Sequence, residues 1–158
     1  MKLYLKQQVF SWVDRFCVKD EEGIDKFTVE GQLFSLGKQL HIYDVNENPI
    51  AHIRQQLLRF MPRFIIEING QDVCEVVRKV SFLSQNYDIE GLPWQLEGDF
   101  WGHEYILLNN DQVLMELSKQ WFTWGDSYEL NISNDQHELL CLCIALAVDC
   151  AMSLGKKG

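Results

Sequence analysis

The sequence predicts a mainly β fold: about twelve short antiparallel strands, closed or nearly closed into a barrel around one hydrophobic C-terminal helix. Three observations lead there. A 13-residue pattern occurs four times, the segments between its copies match one another in pairs, and only the stretch after Asn134 has helical character.

The four copies read KQQVFSWVDRFCV (Lys6 to Val18), RQQLLRFMPRFII (Arg54 to Ile66), VRKVSFLSQNYDI (Val77 to Ile89) and SKQWFTWGDSYEL (Ser118 to Leu130), and they align without gaps. Their fourth position is Val9, Leu57, Val80 or Trp121, and their seventh is Trp12, Phe60, Leu83 or Trp124. The eleventh is always aromatic (Phe16, Phe64, Tyr87, Tyr128), and the thirteenth is Val18, Ile66, Ile89 or Leu130. Large apolar residues two apart mark a strand with one buried face. Each copy is therefore expected to hold the end of one strand, a connection and the start of the next.

The intervening segments pair in the same order. FTVEGQLF (Phe27 to Phe34) corresponds to WQLEGDFW (Trp94 to Trp101), and YDVNENPIAHI (Tyr43 to Ile53) to LNNDQVLMEL (Leu108 to Leu117). The expectation is one barrel domain over residues 1–158, made of two similar halves at about 3–70 and 73–133. Asn69-Gly70 between alternating segments signals a tight hairpin. Glu22-Gly23, Asn46 to Pro49, Gly91 to Pro93 and Asn109 to Asp111 mark further turns. Many short strands without interposed helices favour a sheet that closes on itself.

A helix is expected over about 135–153, with Asp135 as N-cap, Glu138 completing a capping box and Gly155 as the stop. Its unbroken apolar run, Leu139 to Val148, covers about 15 Å at ~1.5 Å per residue. A bilayer core is ~30 Å thick. Extension to Leu154 reaches only about 24 Å and admits Asp149. Burial within the barrel is therefore expected, and no transmembrane insertion.

Composition narrows the function classes. Of 158 residues, 47% are hydrophobic, enough for a well-filled core. Fourteen Lys and Arg against 23 Asp and Glu give a net charge of -9, which argues against a nucleic-acid binder. Lys2, Lys6 and Asp14 interrupt the N-terminal segment, so no secretory leader is expected. The five cysteines, three of them in the apolar C-terminal run, read as reduced, buried thiols of a cytoplasmic protein.

Several residues together resemble the LURP-one-related family, whose fold is similar to that of the tubby C-terminal domain and the phospholipid scramblases. They are Phe27, Val29 and Gly31; Phe34-Ser35-Leu36-Gly37-Lys38; Ile42 and Asp44; Ile53 and Gln56; Glu97-Gly98 and Phe100; and Ala147-Val148-Asp149 in the apolar helix. The resemblance implies a twelve-stranded barrel around a central C-terminal helix. Tubby-like domains bind phosphoinositides through surface cations, and scramblase-like proteins act at membranes with calcium. This chain lacks the Pro-rich N-terminal extension and cysteine cluster of the scramblases. Ser133-Asn134-Asp135 is a poor calcium loop, since that ion wants several spaced oxygen ligands. Lipid scrambling is not expected.

No catalytic constellation, metal set or cofactor motif emerges. Cys141 and Cys143, two apart on a helix, diverge too far to share a zinc ion. His41, His52, His103 and His137 are scattered, with no HExxH or GxSxG pattern. Cys17 and Cys74 read as structural, and His103-Glu104 as a solvated strand edge. The expectation is a non-enzymatic cytoplasmic interaction module with an unidentified protein partner. One local feature supports an alternative. Arg54, Arg59, Arg63, Arg78 and Lys79 face only Glu67, Asp72 and Glu75 in the same stretch, and the Asn69-Gly70 hairpin would bring Arg63 near Arg78. Such a patch suits a phosphoinositide or other anionic phospholipid headgroup, which would make the chain a peripheral protein of the inner membrane face. The plainer reading is a solvated wall whose cations discourage edge pairing.

Overall fold

A computed structural model describes residues 1–6, 15–32, 37–81, 84–122 and 125–155. In the first half the strands are β1 (Lys2–Lys6), β2 (Arg15–Lys19), β3 (Asp25–Gln32), β4 (Gln39–Tyr43), β5 (Pro49–Gln55) and β6 (Arg63–Ile68). In the second they are β7 (Gln71–Ser81), β8 (Ser84–Glu90), β9 (Trp94–Asp99), β10 (Glu104–Asn109), β11 (Gln112–Phe122) and β12 (Gly125–Ile132). Each pairs antiparallel with its sequence neighbours, and β1 also pairs with β12, Leu3 opposite Leu130 and Leu5 opposite Tyr128. The barrel is thereby closed. Ile132 N–H donates to the Met1 carbonyl, and the Met1 ammonium donates to the Ile132 carbonyl. Closure gives every strand a neighbour on both sides, although among the described residues β1 meets β2, and β8 meets β9, at one residue pair each.

The strands lie where the sequence pattern places them. Its four copies span β1–β2, β5–β6, β7–β8 and β11–β12. The eleventh-position residues Phe64, Tyr87 and Tyr128 are buried, as are Val18, Ile66, Ile89 and Leu130 at the thirteenth. The paired segments fall on β3 and β9, and on β4–β5 and β10–β11. Val9, Trp12, Leu83 and Trp124 of the pattern, and Phe34, Ser35 and Leu36 of the family motif, lie outside the described residues.

Because sequence-adjacent strands run antiparallel, connections alternate between the two ends of the barrel. Those after even-numbered strands share one end with the start of the helix. There Asn69 and Gly70 both take positive φ (51° and 81°), the geometry a two-residue hairpin requires. Connections after odd-numbered strands form the other end. Near it, Gly98 at φ 139° lies so close to β10 that an added Cβ would sit 2.6 Å from the Tyr105 Cα. Only glycine fits there.

A short 3₁₀ turn (Asp135–His137) leads into α1 (Glu138–Gly155). The expected cap is displaced by one residue: Asn134, not Asp135, accepts the Gln136 N–H at 3.0 Å. Asn134 holds the extended backbone of a cap, so its side chain can reach back to that amide. Glu138 then pairs with Lys26 of β3 at 2.8 Å, where a carboxylate also complements the helix dipole.

From Cys141 to Val148 no residue is more than 5% exposed. Burying each Leu, Ile or Val there contributes roughly 1.5–3 kcal/mol. The length argument needs correction, however. Asp135–Leu154 is long and apolar enough to cross a membrane by length and composition alone. What accounts for its apolarity is burial: the wall of strands supplies its surroundings, most closely β5, β6 and β7.

Candidate binding surface

Three of the five cations singled out in the sequence, Arg54, Arg63 and Lys79, lie in ion pairs with carboxylates. Arg54 on β5 pairs with Glu67 and Asp72 at 3.1 and 3.0 Å. Arg63 on β6 pairs with Glu75 and Glu90, which hold its guanidinium more firmly charged, and Arg63 in turn lowers the Glu90 carboxyl. Lys79 on β7 pairs with Asp88, which raises its ammonium. The pairing of β7 with β8 brings in Asp88 and Glu90, two carboxylates absent from the linear count.

The pairing of β6 with β7 does bring the backbones of Arg63 and Arg78 close, with Arg63 opposite Val77 and the Arg78 N–H donating to the Pro62 carbonyl at 3.0 Å, but the two side chains take opposite faces of the sheet. Arg63 alternates with Phe64 and Ile66 and faces outward, toward Glu75. Arg78 lies opposite buried Tyr87 and alternates with Cys74 and Val76 on the inner face. Its Nε is buried without a hydrogen-bond partner among the described residues. Arg59, in the β5–β6 connection, is exposed.

Among the described residues, α1 fills the interior, with Cys141 to Val148 at most 5% exposed. The cavity between α1 and the wall near Tyr105, Tyr128 and Leu130 measures about 10 Å³, enough for roughly one water. Lys38 donates from Nζ to Ser153 Oγ of α1 at 2.9 Å, and Asp149 of α1 lies within electrostatic reach of Tyr87 and Tyr105. Burial, opposed by Arg78 and reinforced by Asp149, pushes the Tyr87 phenol up to about 12.

Burial also pushes the thiols of Cys74 and Cys141 up to about 12, and raises those of Cys143 and Cys150. A thiol so displaced is not a nucleophile at neutral pH. Cys17 corrects the expectation of five buried thiols: it is exposed, because it alternates with inward-facing Phe16 and Val18. Among the described residues no group of three or more His, Cys, Asp or Glu is placed to share a metal ion.

Two histidines read as scattered are neighbours. His41 and His52, opposite each other on β4 and β5, stack at 4.4 Å with rings 9° from parallel. Gln32 and Gln39 hold their Nε2 atoms at 3.1 and 2.8 Å. Burial first, and then the neighbouring His41, lowers the His52 imidazole. A register shift between Ile42 and Tyr43 sets this pairing: continued from Tyr43 opposite Pro49 the ladder would place residue 41 opposite 51, and the irregularity moves it to 52.

Apolar side chains stand out at the end of the barrel away from the helix start. In the β5–β6 connection Leu58 and Phe60 are fully exposed and Leu57 is 43% exposed; Trp101 of the β9–β10 connection is 53% exposed. Leu58 also holds a positive φ of 59°, which side-chain-bearing residues disfavour.

A family model described as LURP-one-related matches residues 1–149. The chain is 40% identical over 149 residues to the uncharacterized protein YxjI of Bacillus subtilis (strain 168), an alignment covering 94% of this chain and 92% of that protein. An Arabidopsis thaliana protein solved by X-ray crystallography superimposes with a TM-score of 0.63 over 94% of this chain and 89% of its own, at 12% identity, a likeness of fold. With that model spanning most of the barrel and its helix, the chain belongs to the LURP-one-related family.

Proposed function

We propose that this chain is a non-enzymatic interaction module acting through its outer surface in the cytoplasm. One observation carries the reading: the place where a barrel of this width would hold a ligand is filled by α1. Ligand pockets run to ~300–1,000 Å³, whereas the cavity here measures about 10 Å³. The displaced thiols support the reading, since they offer no activated nucleophile.

Recognition of an anionic headgroup through Arg54, Arg59, Arg63, Arg78 and Lys79 has less support. Arg54, Arg63 and Lys79 already face carboxylates, and Arg78 faces inward. A headgroup phosphate would have to displace those partners.

The test is amide NMR during titration with a small-metabolite library. No resonance from Ala145 to Val148 should move. A metabolite that shifts those helix amides and raises the unfolding temperature would overturn the reading.

A further inference from the structure

We propose that the seam between β8 and β9 takes an extended, cationic segment of a partner protein, added as a strand on β9. The proposal rests on the outer-surface reading and names the surface and its partner. The two halves of the chain carry the same seam twice. In the first half β2 meets β3 over five residue pairs, from Arg15 opposite Glu30 to Lys19 opposite Asp25. In the second, Asp88 opposite Gln95 is the single pair between β8 and β9 among the described residues. The sequence repeat makes it the counterpart of Cys17 opposite Thr28. The register is thus kept while the rest of the ladder is lost.

The backbone of β9 supplies the reason. It pairs with β10 along its whole length, from Trp94 opposite Asn109 to Asp99 opposite Glu104. Gly98, at φ 139°, lies tight against Tyr105 of β10, whereas its counterpart Gly31 in β3 holds no positive φ. β9 therefore follows β10 and parts from β8. Glu97, Gly98 and Asp99 are exposed, and at a glycine the exposed atoms are backbone. Strand amides and carbonyls with no strand beside them template the addition of another chain.

Charge selects the partner. In the first half Arg15 stands opposite Glu30 and pairs with it at 3.2 Å. The counterparts are Asn86 and Glu97, so the carboxylate is kept and its cation is gone. Among the described residues no cation pairs with Glu97. Glu97 alternates with core-facing Leu96 and so points outward, on the same face as Asp99. A Lys or Arg on an added strand restores the cross-strand pair that the first half makes within itself. Pairing β9 with β9 of a second copy would set carboxylates against carboxylates, which disfavours that occupant.

Amide exchange and NMR titration test this. In the free chain, the amides of Leu96 to Asp99 that do not bond β10 should exchange at least about tenfold faster than their counterparts in Val29 to Gln32. Equal rates would mean a zipped seam and overturn the proposal. The probe is a blocked octapeptide of alternating Val and Lys. It should shift the amides of residues 95–99 and slow their exchange, whereas an octapeptide of alternating Val and Glu should not. Methylating every amide nitrogen of the Val/Lys peptide keeps its charge, removes its donors and should weaken binding at least about tenfold. Glu97→Gln should weaken the unmethylated peptide about two- to fivefold with an unchanged unfolding midpoint. Absence of binding by the Val/Lys peptide, equal binding by its methylated form, or shifts centred elsewhere would overturn the proposal. Shifts at residues 95–99 that grow with protein concentration alone would overturn it too, by assigning the seam to a second copy. None of these failures touches the outer-surface reading, which falls only to a ligand inside the barrel.

Discussion

The two ends of the barrel solve the same problem, turning one strand into the next, with different chemistry. At the polar end the turns are held by their own residues. Asp20 Oδ1 accepts the N–H groups of Glu22 and Ile24, and Asp44 Oδ1 accepts those of Asn46 and Asn48, all at 2.9 Å. The two turns share one backbone pattern, with the left-handed position filled by Gly23 in one and Glu47 in the other. At the apolar end, Leu58 and Phe60 contribute nothing to a turn that such local bonds would explain. Connections that carry side chains the fold does not need are where binding concentrates. The apolar end is not without such bonds, since Asp99 Oδ1 accepts the Gly102 N–H at 2.9 Å in the β9–β10 connection, but the β5–β6 connection there leaves Leu58 and Phe60 exposed.

That comparison can be broken or sharpened by substitution. The largest effect is expected for Ala147→Phe, which forces a ring into the fully buried face of the helix joining the two ends. Overpacking of this kind should cost about 3 kcal/mol, read as a fall in the denaturant midpoint. Gly98→Ala should cost about 2–3 kcal/mol by the same measure, since the new Cβ meets β10 backbone at a φ suited to glycine. Removing the helix cap at the polar end, Asn134→Ala, should cost about 1 kcal/mol. Glu47→Gly should stabilise by about 0.5 kcal/mol: it relieves the left-handed strain and loses only an exposed pair with Arg15.

Acid should loosen the polar end. Hydrogen bonds from Asn48 and Asn46 hold the Asp44 carboxyl below its ordinary value of 3.8. Its stabilising contribution is therefore complete above that pH and is lost as pH falls through the lower, folded value. Amide exchange at Asn46 and Asn48 should rise in that window and stay unchanged in Asp44→Ala.

Much of the fold was legible because its signals are local. Alternation in the eleventh and thirteenth pattern positions placed Tyr87 and Ile89 inside, and Asn69-Gly70 fixed its hairpin without distant information. What escaped depends on register between strands. Asp88 and Glu90 neutralise Lys79 and Arg63 only once β7 and β8 are paired, and His41 meets His52 only once β4 and β5 are. Some signals were present but unread. Cys17 sits at the outward twelfth position, and Arg78 shares the parity of Cys74 and Val76. The helix start was off by one residue because Asn134 and Asp135 are both good caps and only backbone geometry separates them. Leu58 and Phe60 fall in the middle of the second pattern copy, the part read as a connection, but alternation alone does not tell an exposed apolar residue from a buried one.

Hydrogen exchange of the whole chain addresses the filled interior most directly. Amides from Cys141 to Val148 should exchange only through global unfolding, at the free energy read from the denaturant midpoint, while those of residues 57–60 exchange far faster. Exchange of the Cys141 to Val148 amides through local opening, well below the global free energy, would contradict the account.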